Sequence, residues 1–122
     1  MAKYLFYPTA DKAQDRIWAY GCQKWGEQQA QKYLEELHMH LQALADRTAY
    51  WHRLPHTIAP VGLKVDAYLS RYGVHHIFFR ELSEDTIGIM SILHQASDTP
   101  VSLKKDLDLI CLLYTSPSPR DA

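Results

Sequence analysis

Val74-His75-His76-Ile77-Phe78-Phe79-Arg80-Glu81-Leu82, then Ser83-Glu84-Asp85, then Thr86-Ile87-Gly88-Ile89-Met90-Ser91-Ile92-Leu93-His94: the fold turns on this stretch. Both flanking runs are rich in β-branched and aromatic side chains, which suit a pleated, half-buried surface. The middle three residues hydrogen-bond readily to their own backbone and favour a turn. An antiparallel hairpin of 74–82 with 86–94 follows. If Leu82 pairs with Thr86, Arg80 faces Gly88, Phe78 faces Met90 and His76 faces Ile92. Ile77, Phe79, Ile87, Ile89 and Leu93 then share the face that packs on helices. His76, Phe78, Arg80, Gly88, Met90, Ile92 and His94 share the other. A slip by one residue exchanges the faces.

Upstream, Leu63, Val65, Ala67 and Leu69 alternate with Lys64, Asp66 and Tyr68, predicting a third strand over 63–69. Residues 48–62, with Pro55 and Pro60, read as a surface connection. Before them, Ala30, Tyr33, Leu34, Leu37, Leu41, Leu44 and Ala45 recur at three- and four-residue intervals, an amphipathic helix begun near Glu27. Ala10, Ala13, Ile17 and Gly21 form a shorter stripe from a Thr9 N-cap to about Lys24. Trp25-Gly26 is too short a link for anything but an antiparallel helical hairpin. Residues 3–7, Lys-Tyr-Leu-Phe-Tyr, make an edge or first strand. The expected class is α+β: a first strand, an antiparallel helical hairpin, then a three-stranded antiparallel meander, with the helices packed on one sheet face.

A chain of 122 residues holds one such domain. We place it at residues 1–110. Residues 111–122, Cys-Leu-Leu-Tyr-Thr-Ser-Pro-Ser-Pro-Arg-Asp-Ala, read as a disordered tail resembling the translation of a sequencing adapter, because alternating prolines forbid a helix interior or a central strand. No apolar run approaches the roughly 20 residues that span a bilayer, and residues 1–8 lack a signal-peptide pattern, so no membrane association and a cytoplasmic location are expected. Thirteen basic residues meet 14 acidic ones. Proteins that grip a nucleic-acid backbone need a basic excess, so direct sequence-specific nucleic-acid binding is not expected and a protein partner fits better. His38 and His40 do not face each other on a helix, and His75 and His76 point to opposite faces of a strand. Two cysteines, Cys22 and Cys111, have no ligand spacing. Neither a metal nor a cofactor is expected.

Four segments in order carry a resemblance: Asp15-Arg16-Ile17-Trp18-Ala19-Tyr20, Trp25-Gly26-Glu27-Gln28-Gln29-Ala30-Gln31-Lys32-Tyr33, His76-Ile77-Phe78-Phe79-Arg80, and Ile89-Met90-Ser91-Ile92-Leu93-His94-Gln95-Ala96-Ser97-Asp98. From Trp18 to Asp98 the chain resembles the ParE branch of the RelE/ParE toxin superfamily. That resemblance implies a toxin of a type II toxin–antitoxin pair with a β-α-α-β-β-β fold. It also implies a cognate ParD-like antitoxin and DNA gyrase as the target, bound rather than chemically altered. A homodimer or a hetero-oligomer with the antitoxin is compatible with it. Target-binding candidates are His94, Arg80, His76, Asp98 and Tyr72; antitoxin-binding candidates are Ile17, Trp18, Trp25 and Tyr33.

The alternative branch comprises RelE-like ribosome-dependent mRNA endonucleases, which resemble one another in carrying cations beside the scissile phosphate. The corresponding stretches here are Val74-His75-His76 and Gln95-Ala96-Ser97, the second without a cation. If the chain were a nuclease, His94 and His76 would be its acid–base pair, placed diagonally about 7–8 Å apart. Otherwise no residue is catalytic. Arg80 is expected on the same face but about six residues away, roughly 20 Å at 3.3 Å per residue. Ser91, Ala96 and Ser97 depart from the basic or bulky residues frequent in the family, leaving a non-toxic interaction-domain relic as a third reading.

Overall fold

A computed structural model describes residues 2–55, 67–96, 99–113 and 120–121. The chain opens with β1 (Lys3–Phe6), and Pro8 then starts α1 (Pro8–Trp25). Proline suits the first helical turn because its missing N–H would find no partner there. The expected cap at Thr9 is corrected by this geometry: Tyr7 holds the cap position, and the Thr9 hydroxyl donates to the Met90 carbonyl at 2.6 Å. Gly26, at φ 94°, ends α1 and begins α2 (Glu27–Ala45), a left-handed conformation that a side chain would resist. Ala10, Ala13, Ile17 and Gly21 of α1 are buried, as are Ala30, Leu37, Leu41, Leu44 and Ala45 of α2. The helical hairpin is as the periodicity predicted.

After α2 the segment expected as surface connection is partly built into the fold. It contains β2 (His52–Arg53) and the buried Leu54, and the Trp51 indole donates to the Leu44 carbonyl at 2.8 Å. The strand expected over 63–69 lies largely outside the described residues. The observed β3 (Tyr68–Tyr72) continues past it to a tight turn at Gly73. Then come β4 (His75–Ser83), β5 (Thr86–His94), α3 (Thr99–Leu113) and β6 (Arg120–Asp121). Residues 111–113 therefore continue α3, and Arg120–Asp121 pair with Phe6–Leu5 of β1. Among the described residues the sheet order is β2-β3-β4-β5-β1-β6, antiparallel except where β1 runs parallel to β5.

The β4–β5 hairpin keeps the expected register from Phe79–Ile89 through Arg80–Gly88 to Glu81–Ile87, and shifts by one residue on either side of that stretch. Ser83 pairs with Thr86, Phe79 with Ile89, Phe78 with Ser91, Ile77 with Ile92, His76 with Leu93 and His75 with His94. The ladder shifts between Phe78 and Phe79, so Phe78 is opposed by two residues, Met90 and Ser91, in a β-bulge. That bulge leaves the Met90 carbonyl to the Thr9 hydroxyl and flips everything beyond it. Ile92 joins Ile77, Phe79, Ile87 and Ile89 against the α1–α2 hairpin, while Leu93 joins Phe78 and Met90 on the other side.

That other side is not bare. Leu103 and Leu107 of α3 cover it, and Ser91 Oγ donates to Asp106 Oδ2 at 2.6 Å. The hairpin helices pack on one sheet face as expected, and α3, which was not expected, covers the other. No helix among the described residues is long and apolar enough to cross a membrane.

Candidate functional site

Because the bulge turns His94 toward the hairpin, it meets His75 directly across the ladder, with ring centroids 5.5 Å apart and planes at 90°. Both histidines line a cavity of about 290 Å³ together with Ala13, Arg16, Ile17 and Tyr20 of α1 and Ile92 and Leu93 of β5. Helical spacing brings Ala13, Arg16, Ile17 and Tyr20 onto one side of α1. Arg16 and Tyr20 are exposed, whereas His75 is buried at 8% exposure. The mouth is therefore polar and cationic, and the floor is apolar apart from one imidazole.

The imidazoles are fixed from behind. His94 Nδ1 accepts the Ala96 N–H at 3.0 Å, which places its proton on Nε2. His75 Nδ1 lies 2.7 Å from the Tyr33 hydroxyl, which is also 3.1 Å from the Tyr72 carbonyl and 3.3 Å from the Val74 N–H. One arrangement satisfies every group. Tyr33 donates to Tyr72 O and accepts from Val74 N–H and from His75 Nδ1–H, leaving the His75 Nε2 lone pair unused. Burial, reinforced by His94 and then His76, holds the His75 pKa down at about 4. His75 is consequently neutral near pH 7 and works there as an acceptor. Arg16 makes no hydrogen bond or ion pair with any described residue.

Aromatic side chains extend the cleft outward. Tyr20 contacts His94 edge-on at 6.2 Å and Trp25 at 5.8 Å, and Trp25 lies 6.5 Å from Tyr33. Tyr20 and Trp25 are 45% and 46% exposed, which makes them a surface rather than core packing. Trp18 is also exposed, at 37%, but does not line the cavity.

The structure brings together His94 from the expected target-binding set and Ile17, Trp25 and Tyr33 from the expected antitoxin-binding set. Of the other described members of the target set, Tyr72 stays on this side, its ring 5.6 Å from that of Tyr33, and His76 and Arg80 do not. His76, paired with Leu93, faces away from the hairpin, and its buried Nδ1 has no hydrogen-bond partner among the described residues. The expected His76–His94 pair is therefore replaced by His75–His94. Arg80 stands beside Tyr7 on the α3 side, where burial raises the Tyr7 hydroxyl pKa and the Arg80 guanidinium partly offsets that rise. It does not share a face with His94. Tyr72 packs on the hairpin face, not beside His76: its hydroxyl donates to Glu36 Oε2 at 2.8 Å, and burial, then Glu36, pushes its pKa up to about 12. Asp98 lies outside the described residues.

Arg16, Tyr20 and His75 are the cleft residues that sequence reasoning missed. The i, i+4 spacing of Arg16 and Tyr20 around Ile17 was a usable signal; the role of His75 was hidden by the bulge. Elsewhere, His38 bonds Tyr4 and Gln14, and His40 bonds Ser70, so those two histidines serve separate packing contacts. Among the described residues no three His, Cys, Asp or Glu side chains converge as a metal site.

A helical hairpin on a sheet whose first strand runs parallel to its last long one, with an imidazole-lined cleft at the strand ends, agrees with the RelE/ParE-like class of small α+β toxins. Comparison with known proteins narrows the class. The family model of the ParE toxin of the type II toxin–antitoxin system, parDE, matches residues 4–99. Toxin ParE1 of Mycobacterium tuberculosis, in strains CDC 1551 / Oshkosh and ATCC 25618 / H37Rv, is 33% identical over 105 residues, covering 84% of this chain and 98% of the relative. The chain belongs to the ParE family of type II toxins.

Proposed function

We propose that this ParE-family toxin acts in the cytoplasm by binding DNA gyrase, without chemistry of its own, and is silenced by a cognate ParD-like antitoxin in a hetero-oligomer. The observation that carries this reading is the family match across residues 4–99, which takes in the helical hairpin and the β3–β5 meander. The cleft supports a binding role. Its rim consists of exposed Tyr20 and Trp25, and aromatic side chains with one wet edge are favoured anchors in protein interfaces. On this reading Ile17, Trp25 and Tyr33 would meet the antitoxin, with Trp18 at their margin, and His94, which lines the same cavity as Ile17, would meet the target.

One observation favours a second reading. His75 and His94 are cross-strand neighbours and Arg16 lines the same cavity, so the cleft has two imidazoles and a cation, the minimum for RelE-like cleavage of ribosome-bound mRNA. Induced expression of the full chain in a bacterial host separates the two. Filamentation with DNA-damage signalling is the expected outcome. Rapid translation arrest with cleaved mRNA, lost in His94→Ala, would establish the nuclease instead. Normal growth would point to the non-toxic relic.

A further inference from the structure

The cleft has chemistry that selects its occupant. Its floor is Ala13, Ile17 and Ile92 together with the buried His75. At its mouth stand an exposed guanidinium with no partner among the described residues and an imidazole whose Nδ1 is already used. Arg16 and His94 Nε2–H are both donors and both await an acceptor. A volume of about 290 Å³ sits at the lower limit for small-molecule pockets, roughly 300 Å³. It suits one large side chain better than a cofactor. Tyr20 and Trp25 continue the apolar surface beyond the cavity, which a small ligand would leave uncovered and a polypeptide segment would not.

We propose that the cleft is a receptor for an acidic–apolar pair on a partner polypeptide: the apolar side chain enters over Ile17 and Ile92, and the adjacent carboxylate settles on Arg16 and His94 Nε2–H. Guanidinium–carboxylate pairs are among the stronger charge-assisted hydrogen bonds, and the low-lying apolar floor alone would not choose an acid. The inference rests on the reading of this protein as a toxin held by an antitoxin, since it describes the segment such a partner would present. His75 contributes shape and an unprotonated surface, so it adds no second cation to the mouth.

The test uses the full chain, isotope-labelled, with imidazole and Tyr20 ring signals followed by NMR. The probes are blocked peptides of one length centred on Glu-Leu, Gln-Leu or Glu-Ser, the free acid 4-methylpentanoate, and inorganic phosphate. Saturable shifts of the His94 and Tyr20 signals with the Glu-Leu peptide are expected. Binding should be about tenfold weaker for the Gln-Leu and Glu-Ser peptides and for Arg16→Gln with the Glu-Leu peptide, the size of one lost charge-assisted hydrogen bond or one apolar anchor. Equal binding of the Gln-Leu peptide, no effect of Arg16→Gln, or no saturable shift would overturn the proposal. So would 4-methylpentanoate binding more tightly than the peptide, which marks a small-acid site, or phosphate saturating the same signals. Should the peptide fail while expression of the chain still causes filamentation, only the acidic–apolar specificity falls and the toxin reading stands.

Discussion

At the scale of single residues, Tyr33 and His75 explain why a histidine sits in the floor of an apolar cleft without charging it. The Tyr33 hydroxyl spends its proton on the Tyr72 carbonyl and receives those of Val74 N–H and His75 Nδ1. Protonating His75 would put a positive charge in a buried site beside two further imidazoles, His94 and His76, and its pKa accordingly falls to about 4. The stability consequence has a definite sign. Above about pH 6.5 the folded and unfolded chains both hold this imidazole neutral, and its contribution is fully present. As pH falls, the unfolded chain takes up a proton that the folded chain refuses until about pH 4, so stability declines across that window. A shift from 6.5 to about 4 corresponds to a loss of about 3 kcal/mol by the bottom of it. Denaturant titration from pH 7 to pH 4, compared between the native chain and His75→Phe, checks this. The variant should lose distinctly less stability on acidification, and an NMR midpoint for His75 near 6.5 would contradict it.

At the scale of elements, the two turns and α3 decide where the site residues end up. Gly73 adopts φ 56°, and a Cβ there would lie 2.6 Å from the Tyr33 hydroxyl oxygen. Gly73→Ala therefore combines backbone strain with displacement of the group that orients His75. It is expected to destabilise the fold by about 2 kcal/mol and to move the His75 imidazole signal; thermal unfolding and NMR read the two effects separately. Leu103 of α3 is fully buried against Phe78, Met90 and Leu93, so Leu103→Ala should cost about 2–5 kcal/mol. A cost below 0.5 kcal/mol would mean that α3 does not hold that face in solution. Much of this was legible beforehand. The stripe through Leu37, Leu41 and Leu44 and the Ser83-Glu84-Asp85 turn gave the helical hairpin, β4 and β5 their correct places. The bulge was not legible, because Ile89-Met90-Ser91-Ile92 is apolar or small on both sides and carries no alternation for a slip to interrupt. That single extra residue moved His94 to the other face and replaced His76 with His75. Helix α3 did leave a signal, Pro100 in its first turn with Leu103 and Leu107 four apart, but the charged Lys104-Lys105-Asp106-Leu107-Asp108 run makes its apolar stripe narrow.

At the scale of the whole molecule, the sheet separates two environments. On the hairpin side an aromatic-rimmed cleft opens between α1 and the strand ends; on the other side lie His76, Arg80 and Tyr7, with α3 packed there through Leu103 and Leu107. Residues expected to form one target-binding surface are thus divided between the two sides. Those expected to meet an antitoxin, together with His94, converge on one. Such a division suits a protein whose work is to be held and to hold, because the cleft is open, rigidly backed and cationic at its mouth. The most direct measurement mixes the purified full chain with DNA gyrase and supercoiled plasmid, and in parallel with translating ribosomes. Accumulation of gyrase-linked broken DNA with intact ribosomal mRNA is the predicted result. Cleaved mRNA with unaffected gyrase, abolished by His94→Ala, would contradict the claim that this toxin binds its target without cutting it.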